Sequence, residues 1–288
     1  MYASHQGKYT TLCMFWTASD ILKKRLQERR ISGAEKIFEA LLRVLPSIDD
    51  KDGKAHAAIL NAASQLAAAA PSFSILAFVE HYAADHLHEE DWQAPQPVAD
   101  QQGNRHPLPS PAQRLLTQCF HEIQQHPDVD HALKVMPLLQ EAVRRFPRHK
   151  NNQRYMAVVY RIMGEREKAV AIYRGLLGRH HDSYLYAELA ELTDNEGRKA
   201  ALLCQAIMNQ RQEKFRMGYR FDLARMLLGR DDARAAHELQ KCIATRKALG
   251  YSIPHDMQAM LTQLAHVTPA TDAQQQDFYI RMAKKYPV

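Results

Sequence analysis

Three glycines, Gly164, Gly197 and Gly229, stand 33 and 32 residues apart, each at or near the turn between two segments of helical periodicity. Self-similarity at such a period marks a stack of helix pairs, because one pair alone leaves an apolar face that only a neighbouring pair can cover. Helical spacing of apolar residues is read over about 112–125, 129–145, 150–163, 165–178, 183–193, 196–210, 213–228, 232–249, 255–266 and 272–285. No segment alternates with period two between hairpin turns, and the abundance of Leu, Ala, Gln, Arg and Glu over Val, Ile and Thr favours helix. The chain is predicted to be all-α.

Prolines at 95, 97, 107, 109 and 111 divide it. This Pro- and Gln-rich stretch lacks backbone donors and has little to bury, so 91–111 is expected to be a linker or a long loop between a helical region, 1–90, and a repeat domain, 112–288. Before it, four helices are expected. Ser19 caps the first, with Ile21, Leu22 and Leu26 on one face, and Ser32 the second, with Ile37, Phe38, Leu41, Leu42 and Leu45 spaced helically up to Pro46. A third spans about 54–70, and a fourth starts at Pro71 or Ser72. After the stretch, Ser110 is placed as N-cap and Pro111 in the first turn.

The unit from Lys150 to His181 carries Tyr160, Met163, Gly164, Ala169, Tyr173 and Leu177, and the preceding unit Ala142 and Pro147 in the same register. In these residues the chain resembles the tetratricopeptide repeat (TPR), a helix pair of about 34 residues. The pair 183–210 keeps Tyr184, Ala187 and Gly197; the pair 213–249 keeps Gly229 but has Arg234 where the family has alanine, its small residues being Ala235 and Ala236. The resemblance covers about 112–250. It implies a TPR-like α-solenoid of antiparallel helix pairs after an N-terminal helical bundle, and a non-enzymatic adaptor or scaffold that offers a concave face to a protein partner. A second, shorter resemblance, Arg246 to Pro254, is to TPR-like proteins of bacterial stress-response and defence operons.

Charge suggests what that face would hold. Residues 1–110 carry 11 Lys and Arg against 13 Asp and Glu, whereas 111–288 carry 27 against 19. In TPR-like units the first helix of each pair lines the inner surface. Lys150, Asn151, Arg154 and Arg161 on one such helix and Arg216 and Arg220 on another are therefore the expected partner-binding residues, forming a basic groove for an acidic peptide segment. The alternative is a nucleic-acid-associated accessory subunit, for which Arg144, Arg145, Arg148, Lys150 and Arg154 with Phe146 and Tyr155 would track phosphates and stack bases.

Enzymatic chemistry finds no motif: there is no GxSxG, no phosphate-binding glycine loop and no dinucleotide fingerprint, and no cofactor is expected. His121-Glu122 with His126 has the wrong spacing for a zinc-protease helix. His81, Asp85 and His88 share a helical face but are read as a polar helix end rather than a metal site, and Asp49 to Gly53 as a helix start rather than a calcium loop, since Leu60 stands where the bidentate glutamate would be. Trp16 with Phe15 and Met14 is read as part of the first hairpin's core in preference to an exposed patch. Four isolated cysteines, no apolar run of roughly 20 residues and no basic-then-apolar leader in Met1 to Tyr9 lead to the expectation of a cytoplasmic protein outside the membrane.

Overall fold

A computed structural model describes residues 2–50, 52–83, 86–99, 103, 105–106 and 108–288. The fold is all-α, and no helix is long and apolar enough to cross a membrane among the described residues. Among the described residues the one pairing of strands is minimal: Val98–Ala99 runs antiparallel to Arg105–His106 inside the proline-rich stretch, too short to leave a period-two signal. The chain forms two compact units, Met1–Tyr155 and Met156–Val288.

The first unit holds α1 (Tyr2–Gln27), α2 (Ala34–Val44), α3 (Lys54–Ala69), α4 (Ile75–Phe78), α5 (Pro111–Gln125), α6 (Val129–Arg145) and the start of α7 (Lys150–Ile162). Two serine caps are not used. Ser19 lies inside α1, and the N-cap of α2 is Gly33 at φ 80°, one residue after Ser32, whose carbonyl accepts from Arg25. Phe15 and Leu22, two turns apart, are buried residues of α1; Trp16 packs edge-on against Phe15 at 5.4 Å, while Met14 remains 65% exposed. Asp50 starts α3 as expected, its two oxygens accepting the N–H groups of Ala55 and His56 at 3.0 and 2.8 Å. Lys51 of that segment lies outside the described residues.

The fourth helix is one turn long. Ser74 caps it, Glu122 of α5 accepts from Ile75 N–H at 2.8 Å, and a π-turn follows at Val79–Ala83. Glu122 is thus a cap, not a metal-site residue. Ser110 and Pro111 open α5 as the sequence indicates, with Ser110 Oγ accepting from Gln113 N–H at 3.2 Å. Because α5 packs on α3 and α4, the helices on either side of 91–111 share one core, and that stretch is a loop within the first unit.

The second unit continues α7 with α8 (Arg166–Leu177), α9 (Ser183–Glu191), α10 (Glu196–Asn209), α11 (Glu213–Leu227), α12 (Asp232–Ala248), α13 (His255–Gln263) and α14 (Asp272–Lys285). Consecutive helices from α8 to α13 pack on one another, as a helical repeat requires. Ala157, Ala169, Tyr173 and Leu177 sit in its core, so the small and aromatic positions of the repeat pattern are packing positions. Gly164 and Gly229 hold left-handed turns at φ 77° and 74°, where a side chain would be strained. Gly197 plays another part: it lies in the first turn of α10, and the Tyr286 ring occupies the space of its missing Cβ. In α12 the buried small residues are Ala235 and Ala236, because Asp231 caps the helix and shifts the register past Arg234.

A plain repeat stack has contacts only between neighbours, but α14 returns to pack on α10 and α12. Glu238 of α12, 0% exposed, secures it. Arg220 of α11 donates to this carboxylate at 2.7 Å, and Gln275 and Tyr279 of α14 donate to its other oxygen. Burial and the Glu238 charge push the Tyr279 hydroxyl well above the ordinary tyrosine range, so it stays a donor. Replacing Arg220 by methionine strands a buried charge and should destabilise the chain by about 3–5 kcal/mol in urea unfolding, whereas R220M combined with Glu238→Leu should recover most of that loss. An R220M chain as stable as wild type would show that the ion pair is not what holds α11 to α12.

Candidate functional site

The six residues predicted to bind a partner fall in two units. Lys150, Asn151 and Arg154 belong to the first unit, Arg161, Arg216 and Arg220 to the second. Arg154 lies 5.0 Å over the Phe120 ring, which stacks on Tyr155 at 4.0 Å, so these aromatics serve packing. Lys150 is half-buried and Asn151 exposed, while the neighbouring Asn152 is buried and donates to the Ala142 carbonyl. Arg161 is paired with Glu191, and Arg216 with Glu213. Arg220, 6% exposed, is closed off from any groove by Glu238. Spacing of i, i+4 put Arg216 and Arg220 on one helical face, but that face meets carboxylates within the unit, so the expected basic groove is not built from them.

An open groove of about 610 Å³ does lie between α9 and α11, the first helices of successive pairs, with α10 behind it. Its floor is made small by Ala187 and Ala190 of α9 and Gly218 of α11, with Met226 and Tyr219 beside them. Gly218 is inside a helix, where glycine costs about 1 kcal/mol relative to alanine, and nothing lies within 4 Å of the position a Cβ would take. The chain therefore leaves this space empty without filling it from elsewhere. The sequence signal for it is a glycine amid helix-forming neighbours with no turn to serve, unlike Gly164 and Gly229.

The walls carry balanced charge. Glu196 and Arg230 form a paired fork, with one bond of 2.9 Å, and Asp222 faces Arg225 at 3.9 Å. Burial raises the carboxyls of Glu191 and Asp222 above their ordinary range, and Arg161 and Arg225 respectively oppose the rise. Their side chains keep 62% and 54% of their surface open, so solvent screening holds the effect on stability small. Lys199 of the same lining also opposes the rise at both carboxyls, which nonetheless stay above their ordinary range, so the groove offers two incompletely compensated carboxylates beside small and apolar residues.

Among the described residues, no cysteine, serine, threonine or histidine lines it. Cys119, Cys204 and Cys242 are buried, and burial pushes each thiol above its ordinary value. Among the described residues no three His, Cys, Asp or Glu side chains are grouped to hold a metal ion. His81 and His88 are exposed, and Asp85, the third residue of that face, lies outside the described residues.

A family model described as a domain of unknown function (DUF7017) matches residues 153–285, a span that contains the whole α9–α11 groove. No curated protein matches the chain.

Thiol titration checks the burial. Of the four cysteines only Cys13 is exposed, so one equivalent should react rapidly in the native chain and all four in denaturant. A second fast native thiol would show that one of the three buried helix faces opens.

Proposed function

We propose that the chain is a non-enzymatic, TPR-like adaptor that holds a segment of a partner protein in the groove between α9 and α11. The observation that carries this is the unfilled space over Gly218. A helix-interior glycine is unfavourable, and here it neither makes a turn nor admits a neighbouring side chain, so a floor kept open for an external ligand accounts for it. TPR-like proteins bind on their first helices, and α9 and α11 are the first helices of their pairs.

The chemistry of the walls revises the expected partner. Glu191 and Asp222, which Lys199, Arg161 and Arg225 compensate only in part, favour a segment that brings a further lysine or arginine to them, with an apolar residue beside Met226. An acidic segment would meet these carboxylates unfavourably. The nucleic-acid reading has one observation behind it, the exposed Arg166, Arg174 and Arg198 around a depression of about 850 Å³ on α8 and α10, of which Arg166 is paired with Asp194.

The test is co-purification of the tagged full chain from nuclease-treated extract, then affinity measurement with the captured protein. Gly218→Trp fills the groove and should abolish binding while the melting temperature holds. Asp222→Lys should weaken binding about tenfold or more. A partner that binds the G218W chain unchanged, or a complex lost on nuclease treatment and weakened steeply by salt, would reject the adaptor groove.

A further inference from the structure

A second cavity, of about 760 Å³, lies within the first unit between the start of α3, residues 88–96 and the start of α5. Most of the ionisable groups in its walls are already engaged. Asp50 caps α3, and Asp52 pairs with Lys54 at 2.9 Å. Asp91, 4% exposed, lies 2.9 Å from His56 Nε2 and accepts from the His88 backbone at 2.8 Å. His56 Nδ1 is 2.8 Å from the Tyr82 hydroxyl, whose pKa burial pushes up to about 12. Both ring nitrogens of His56 thus have a hydrogen-bonding partner within the wall. These three side chains make a fixed wall.

Arg114 differs from all of them. It lines the same cavity half-buried, no group among the described residues pairs with it, and its Nε is shut from water without an acceptor. The Nε of this guanidinium has given up hydration without gaining an acceptor, and no carboxylate among the described residues stands beside the group as counter-ion. Burial holds it below the ordinary arginine value, and no carboxylate restores it. Asn61 on the same wall has its Oδ1 buried without a donor.

We propose that this cavity binds a small molecule carrying an oxyanion, a phosphate or a carboxylate, that seats on the guanidinium of Arg114. The planar fork suits either group, and the volume suits a ligand the size of a mononucleotide or an amino-acid derivative. Exposed Asp52 and Glu90 in the same lining disfavour a polyanion, so the body of the ligand is neutral or cationic and a nucleic-acid strand is excluded. The site is independent of the adaptor groove, which lies in the other unit.

Calorimetric titration of the full chain with inorganic phosphate, adenosine monophosphate and glutamate tests this. At least one probe should bind at millimolar concentration or below. Arg114→Met should weaken it about tenfold or more, and Arg114→Lys should keep part of the affinity. Tighter binding of the nucleotide assigns a phosphate ester, tighter binding of glutamate a carboxylate. Without ligand, the R114M chain should melt at or above the wild-type temperature, because it has lost only an unpaired charge. No binding by any probe, equal binding by R114M, or an R114M chain that melts well below wild type or fails to fold would each overturn the proposal.

Discussion

The second unit depends on one buried carboxylate. Glu238 is shut from solvent, so its charge must be satisfied by protein donors from two other helices at once. Arg220 supplies the charge from α11, and Tyr279 and Gln275 supply hydrogen bonds from α14. Apolar contacts can slide by a fraction of a side chain, but these donors fix a single register of α11, α12 and α14. The α9–α11 groove inherits that definition, since α11 presents Arg220 inward and Gly218 and Asp222 outward from adjacent turns.

The helical class and most helix positions were legible in the sequence because they rest on local rules: apolar spacing, proline at the first turn of α5, glycine where Gly164 and Gly229 need positive φ. Local rules failed where tertiary contacts decided. Gly197 has the spacing of a turn glycine yet is small for the sake of Tyr286, a residue 89 positions later. Ser32 is a good N-cap type, but Gly33 accepts the left-handed geometry that starts α2. Residues 91–111 look like a linker because proline and glutamine dominate them, yet Trp92 is buried in the stretch and it joins helices that share a core.

The site was less legible than the fold. Lys and Arg on a predicted inner helix read as a basic surface, but a sequence does not say which carboxylates the fold brings to them. Glu213 and Glu238 claim Arg216 and Arg220, and Glu191 claims Arg161. Conversely Arg114, unremarkable on α5, is set apart only by what the fold fails to put beside it. Absence of a partner has no sequence signature.

The return of α14 onto α10 and α12 has a bearing on biosynthesis. Tyr279 follows Glu238 by 41 residues, so a nascent chain leaving the ribosome exposes α12 well before its last donors are made. Until α14 emerges, the face of α12 that it covers lies open to water, and Glu238 lacks the two donors that complete its site. Truncation upstream of α14 would therefore leave the preceding helices collectively poorer, not merely shorter.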